Sequence, residues 1–413
     1  MRLKVNRNNK KKIINDPLYG FISIPNELIF DVIEHPYVQR LRRIMQLGLS
    51  HLVYPGAIHT RFNHVIGAMY LMHQALMVLR RKGIEISEEE ENAALLAVLL
   101  HDIGHGPFSH ALEYDIVCGV SHEKISAFFM QKLQAEFGEP LDLALSIFKN
   151  KYERNFFYQL VSSQLDMDRL DYLNRDSFYS GVSEGKIGTN RLIEMLNVRD
   201  ERLVIEEKGI YSIEKFIVAR RIMYWQVYLH KTVVSAEQML INTLRRAKQV
   251  ALSGAPIFGT PSLLFFLQND IKEKDFIENT EVLEHFAKID DYDILASIKV
   301  WQNHDDKILS ILSDSIVNRN LFKIEIAKSP FTEDRLNLER EIIQKIYALN
   351  DKEVHYFVSN NILMNKAYNQ TDQKIDILKK SGEVSELVLE SDNLSISALA
   401  KPVEKYFLCY PLT

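Results

Sequence analysis

Two cysteines in 413 residues, Cys118 and Cys409, cannot build a disulfide framework and are too few for a thiolate zinc site. Any metal is therefore held by imidazole and carboxylate, and a reducing compartment, the cytoplasm, is the expected location. Long hydrophobic runs are missing as well. The longest is the octet from Ala93 to Leu100, far short of the roughly 20 residues a spanning helix needs, so no membrane segment is expected. There is no excess of positive charge: 50 Lys and Arg stand against 55 Asp and Glu, for a formal charge of −5. Such a balance exerts no global pull on polyanions, so nucleic acid is not an expected partner and phosphate would have to be met by a local basic cluster. Six of the first twelve residues are Lys or Arg, but no apolar stretch follows them. Residues 1–12 therefore read as a solvated basic tail and not as a signal peptide.

What is present is a hydrophobic content of 46%, enough for a well-buried core in a chain of this length. Residues 13–25 predict a turn and a short extended segment, and apolar residues then recur at helical spacing from Glu27 to Gly48. Further helices are predicted over 64–81, over 87–101 behind a Ser87/Glu90 capping box, and over 123–136, 155–178, 189–197 and 212–250. Residues 201–211 read as a small hairpin, 253–261 as a loop, and 262–315 as helical again. The last ninety residues alternate like strands at 321–326, 354–358, 375–378 and 406–410 around one helix, 332–349. The fold class is thus mainly α, with a helical core and extension over 13–315 and a small α+β lobe over 316–413.

Eight of the thirteen histidines fall between His51 and His122. Within that stretch, His101-Asp-Ile-Gly-His-Gly-Pro-Phe-Ser-His110 crowds three imidazoles and a carboxylate onto a glycine-broken turn behind the apolar octet. A buried helix ending in His and Asp gains nothing from two costly polar groups unless they are paired or bind a metal. Imidazole and carboxylate together suit Zn, Fe, Mn or Mg without choosing among them. His101 and Asp102 supply two ligands, and distant candidates for the rest are His64, after Arg61-Phe-Asn, and Asp168, in the carboxylate-dense Asp166-Met-Asp-Arg-Leu-Asp-Tyr172.

These motifs, with Asn15-Asp-Pro-Leu-Tyr-Gly20, Gln39-Arg-Leu-Arg-Arg-Ile-Met-Gln-Leu-Gly48, Tyr54-Pro-Gly-Ala-Ile-His-Thr-Arg-Phe-Asn-His64 and Arg319-Asn-Leu-Phe-Lys323, carry a resemblance. In their order and spacing the chain resembles the HD superfamily. Within it, the similarity is to the deoxynucleoside triphosphate triphosphohydrolases that in animals place an HD domain after a sterile-alpha-motif domain. The resemblance covers roughly residues 12–325 and does not include the sterile-alpha-motif domain.

The resemblance implies a helical HD-domain core in which His64, His101, Asp102 and Asp168 hold a divalent ion, with Zn, Fe, Mn, Mg and Ni undistinguished. It implies that Arg61, Arg169 and Arg220 grip a triphosphate, that His110 protonates the leaving oxygen, and that His105, His122 and Glu113 complete the active-site group. Arg169 stands where the family has Lys, and Glu113 where it has Asp. Positions matching sugar recognition are Gln46, Leu47, Tyr172, Asp176 and Tyr228. A regulatory nucleotide site at a subunit junction is implied for Lys12, Asn15, Gln39 and Arg42, in a homo-oligomer, dimer or tetramer, although Glu34 departs from the family's guanine-reading Asp.

Plainer roles are expected elsewhere. His51, His59 and His73 read as packing or supporting residues, Asp166 and Asp171 as hydrogen-bonded to backbone or arginine, and His304-Asp305 as a solvated surface pair. Arg40, Arg42 and Arg43 read equally as ordinary interface or surface charges or as effector contacts, and the run from Tyr224 to His230 as core apart from Tyr228. The expected reaction is hydrolysis of a deoxynucleoside triphosphate to deoxynucleoside and inorganic triphosphate. Two alternatives stand: an HD phosphohydrolase acting on mono-, di- or signalling nucleotides, and a nucleotide-sensing or nucleic-acid-binding protein without activity.

Overall fold

The structure, a computed structural model, describes residues 12–108, 117, 119–365, 368, 374–392, 399 and 401–412. The chain enters as a hairpin of β1 (Ile13–Asp16) and β2 (Gly20–Ser23), paired antiparallel with Asp16 opposite Gly20. Helix α1 (Glu27–Ile33) follows, N-capped by Asn26, whose side chain accepts the Ile29 N–H. Residues 44–46 then run against 59–61, with Gln46 N–H to the His59 carbonyl and Arg61 N–H to that of Ile44.

Helix α2 (Arg61–Arg81) starts three residues before the expected His64, because Asn63 reaches back to the backbone N–H of Thr60 and closes a capping box. Helix α3 (Glu88–Leu100) opens on the expected box, with Ser87 and Glu90 exchanging hydrogen bonds and four Glu in the first turn complementing the helix dipole. Every residue from Ala93 to Leu100 is fully buried. Helices α2 and α3 pack together, and α2 also packs on α6.

The stretch 155–178 is two helices, not one: α5 (Asn155–Val161) and α6 (Met167–Ser180). Asp166 causes the break, its carboxylate accepting the N–H groups of Ser163 and Arg169 as the N-cap of α6. Between α3 and α5 lie α4 (His122–Phe137) and a helix over Glu139–Phe148. The predicted helix over 189–197 ends at Glu194, and the hairpin expected at 201–211 is β3 (Leu196–Arg199) with β4 (Arg202–Glu206). Its turn residues Asp200 and Glu201 both have positive φ, as a two-residue hairpin turn requires. The long helix predicted over 212–250 is also broken. It runs as α7 (Ile210–Met223), a π-turn over Tyr224–Tyr228, and α8 (Lys231–Leu252), which is capped by His230.

Helices over Pro261–Gln268, Asp291–Trp301 and Lys307–Val317 build the extension. In the C-terminal region the helix Glu333–Tyr347 sits beside β5 (Lys323–Ala327), β6 (Ser359–Asn365) and β9 (Val403–Tyr410), in the order β5-β9-β6. The strand expected at 354–358 is a short 3-10 turn, Val354–Tyr356, and pairing begins only at Ser359. Strands β7 (Asp376–Leu378) and β8 (Val384–Glu386) join the other sheet, where β7 runs parallel to β4. The lobe is therefore hydrogen-bonded to the core across the expected boundary at 315/316. No helix among the described residues is long and apolar enough to cross a membrane.

Candidate metal centre and substrate cavity

Helical periodicity distributes the chemistry. On α6, Asp168, Tyr172 and Asp176 recur every four residues and, with Arg169, line a cavity of about 580 Å3. Asp171 and Arg175, on another face of α6, are fully buried. Across the cavity floor, α2 presents Arg61 and the end of α3 presents His101 and Asp102, while His64, also on α2, is fully buried beside them.

The turn after α3 is tied down on both sides. A Cβ on Gly104 would stand 2.2 Å from the His122 carbonyl oxygen and 2.3 Å from the Ser126 nitrogen, so only glycine lets α4 approach so closely. The Ser126 hydroxyl accepts the Gly104 N–H and donates to the His101 carbonyl. Arg40, fully buried, donates to the carbonyls of Ile103, His105 and Ile289. The surface-charge and effector readings of Arg40 are both corrected: it is an internal clamp on the turn.

His64 Nδ1 donates to Asp171 Oδ2 at 2.8 Å, and His101 Nδ1 donates to the Val98 carbonyl at 2.6 Å. Each ring is thus held with its Nε2 lone pair turned inward, and neither buried Nε2 finds a hydrogen-bond partner among the described residues. Asp168 Oδ1 stands 3.1 Å from His64 Nε2 and 3.5 Å from His101 Nε2. Ligand atoms of His64, His101 and Asp168 lie within 4.8 Å of one another, a spacing that could hold a metal ion. Asp102 flanks this group, 3.3 Å from His101 Nε2 and 3.8 Å from His64 Nε2, and also accepts from Arg61. Orphaned imidazole nitrogens facing carboxylates, each ring fixed through its other nitrogen, fit a divalent cation. The donor set also fits the absence of thiolate.

Burial opposes charge throughout this floor, yet the groups compensate one another. With no ion between them, burial alone would lower His64, but Asp168 and Asp171 outweigh it and raise the ring to about 10, so a cation would take the place of the proton on Nε2. Burial would likewise raise Asp168, and His101 and His64 hold it well below the usual carboxylate range. His105 is different: burial and the Arg61 charge push it well below the ordinary imidazole value, leaving a neutral ring stacked 3.9 Å over His122.

Higher on the wall, Asp176 receives His59 Nε2 on one oxygen and the Tyr228 hydroxyl on the other, at 2.8 and 2.7 Å. His59, expected only to pack or support, thereby orients a cavity carboxylate. Tyr172 and Tyr228 meet edge to face at 6.1 Å, and Tyr224, Gln46 and Leu47 complete this side. Tyr224, expected in the core, lines the cavity instead. The π-turn is what brings both Tyr224 and Tyr228 to the cavity, and nothing in the sequence period announced it.

Arg220 is buried behind the wall, donating to Gln164, and does not line the cavity. His110 and Glu113 lie outside the described residues. Of the effector candidates, Gln39 and Arg42 are hydrogen-bonded to each other, Arg42 covers the Phe62 ring, Lys12 covers Phe30, and Asn15 is exposed on β1. None of the four lines the cavity. His304 is half-buried at the surface, its Nε2 donating to the Pro256 carbonyl and its Nδ1 accepting the Asp306 N–H, and Asp305 is exposed. Asp166 and Asp171 bond to backbone, arginine and histidine.

Comparison with known proteins follows the same boundaries. A family profile described as HD domain matches residues 61–176, and one described as HD associated region matches residues 187–255. An uncharacterised protein of Bacillus subtilis, YwfO, is 35% identical over 325 residues, spanning 76% of this chain and 72% of its own. The chain belongs to the HD-domain family. A crystal structure of a phosphohydrolase from Bacteroides thetaiotaomicron shares 53% identity and superimposes with a TM-score of 0.94, covering 98% of this HD-domain chain and 100% of its own. The deoxynucleoside triphosphate triphosphohydrolase SAMHD1 homolog of Dictyostelium discoideum is 33% identical over 257 residues, 58% of this chain and 50% of that protein. The HD profile spans all four candidate ligands, His64, His101, Asp102 and Asp168, whereas Gln46, Leu47, Tyr224 and Tyr228 of the cavity wall lie outside it.

Proposed function

We propose that this chain is a metal-dependent phosphohydrolase that cleaves deoxynucleoside triphosphates to deoxynucleoside and inorganic triphosphate. The observation that carries the reading is the pair of orphaned Nε2 atoms of His64 and His101 facing Asp168 and Asp102, next to a cavity walled by arginine and tyrosine. The names of similar proteins, a phosphohydrolase and a deoxynucleoside triphosphate triphosphohydrolase, support it.

In this reading His64, His101, Asp102 and Asp168 hold the divalent ion. When bound, the ion supplies polarisation of a phosphate oxygen and a more acidic water. Arg61 and Arg169 line the cavity beside it and meet phosphate oxygens, for which a planar guanidinium fork is well shaped. Water adds to the α-phosphorus, the bond from that phosphorus to the sugar 5′-oxygen breaks, and the leaving oxygen takes a proton, the role assigned to His110. His105, neutral and stacked on His122, holds that ring in place. Asp176, its oxygens oriented by His59 and Tyr228, retains lone pairs to accept a 3′-hydroxyl. Tyr172 and Tyr228 narrow the space where a 2′-hydroxyl would sit. Lys12, Asn15, Gln39 and Arg42 remain a proposed effector site of a homo-oligomer.

The test is product identity. Purified protein with Mn2+ or Fe2+ and each of the four dNTPs should release free nucleoside and triphosphate, resolved by ion-exchange chromatography. Orthophosphate with a shortened nucleotide would replace this reading by another HD phosphohydrolase activity. Intact ligands under every metal would favour a binding protein.

A further inference from the structure

Asp16 sits on the N-terminal hairpin, yet it ends a buried chain of contacts that begins at a candidate metal ligand. His64 Nδ1 meets Asp171 Oδ2 at 2.8 Å. Arg175, one turn along α6, grips Asp171 with two nitrogens, Nε and Nη2, each at 2.9 Å. Its remaining nitrogen, Nη1, donates to Asp16 Oδ2 at 2.8 Å. His64, Asp171 and Arg175 are fully buried and Asp16 is 4% exposed, so the guanidinium is shared between two carboxylates with almost no water to replace either.

A second observation shows that the fold makes room for this chain. Gly67 lies three residues after His64 on α2, and a Cβ there would stand 2.1 Å from Asp171 Oδ1 and 2.2 Å from Arg175 Nη2. The helix that carries the ligand thus leaves a slot through which the contact to that ligand passes. The other oxygen of Asp16 accepts the N–H groups of Leu18 and Tyr19. One side chain therefore shapes the hairpin turn and anchors the guanidinium together.

We propose that Asp16 is a positioning residue for the metal centre, acting through Arg175 and Asp171 to fix the ring of His64 with Nε2 turned toward the ion. Partners that orient a ligating histidine through its second nitrogen typically control metal affinity by 10- to 100-fold. Here the control is extended by one arginine to a separate element, so docking of the N-terminal hairpin tunes the affinity of the site.

This inference rests on the metal-binding reading above, and the experiment separates the two. Mn2+ binding to the full chain is measured from free Mn2+ by electron paramagnetic resonance, in wild type and in Asp16→Asn. Asparagine keeps an acceptor for the turn but turns an uncharged amide to Arg175. The expected result is a Kd weakened by about tenfold or more, with an unchanged far-UV circular dichroism spectrum and with turnover recovered at excess Mn2+. A Kd within about twofold of wild type in a folded variant overturns the proposal, as does lost turnover that excess Mn2+ does not recover. If Asp16→Asn does not fold, Arg175→Lys gives the same reading, since it keeps the charge and loses the fork. Absence of Mn2+ binding in wild type would overturn the metal reading itself.

Discussion

Asp291 shows how much a single side chain outside the cavity can decide. Its two oxygens accept the backbone N–H groups of Met45, at 2.8 Å, and Phe108, at 2.9 Å. Phe108 has φ +52, a left-handed conformation that a bulky residue adopts only when held there. Burial pushes the Asp291 carboxyl up to about 6. The folded group keeps its proton to a higher pH than an unfolded aspartate at 3.8. Its contribution to stability is therefore greatest below that value and is lost as pH rises through the folded pKa. A shift of this size is worth roughly 3 kcal/mol at most. Asparagine does not titrate. The unfolding free energy of wild type minus that of Asp291→Asn, from urea titrations, should fall by up to about 3 kcal/mol between roughly pH 4 and pH 7. A difference that stays flat would contradict the assignment.

The π-turn over Tyr224–Tyr228 makes the corresponding point for an element. Each residue of a π-turn rotates less than one of an α-helix, so the chain beyond it lags an uninterrupted α-helix by about 100°, and here the lag brings Tyr228 onto Asp176. The substitution Tyr228→Phe should remove the hydroxyl that holds Asp176 while leaving the turn in place. The KM for a deoxynucleotide should then rise about tenfold, the scale of one lost buried polar contact, while the Mn2+ Kd stays put. An unchanged KM would show that Tyr228 takes no part in binding. The same turn explains what the residues did and did not announce. The His101-Asp102 turn was legible because its histidines, glycines and apolar helix are neighbours in the chain. Arg40 was not, because its acceptors are carbonyls of residues 103, 105 and 289, and a charge inside an apolar stripe has no local signature of a distant partner. The breaks at Asp166 and Tyr224 escaped for a related reason. The apolar period continues across both, and only capping by Asp166 or the π-turn geometry interrupts the helix.

At the scale of the whole molecule, three sheets among the described residues and the helices around α2, α3 and α6 share one continuous apolar core. The C-terminal region is joined to that core at several places, among them the parallel pairing of β7 on β4, the hydrogen bond from the Ser235 hydroxyl to the Phe322 carbonyl, and Lys405 over the ring of Trp225, inside the π-turn. The last strand therefore touches the very element that carries two cavity tyrosines. At the centre runs α3, whose eight residues from Ala93 to Leu100 have no wet face at all. Local opening cannot expose such a segment, so its backbone amides trade hydrogen for deuterium only when the entire core comes apart. Mass spectrometry of exchange should find 93–100 among the slowest peptides of the chain, with a rate that follows global stability under mild denaturant. Faster exchange there than in peripheral helices would be at odds with the packing. The candidate ligands at the end of α3 thus hang from the part of the protein that is last to breathe, which fixes their spacing before any ion arrives.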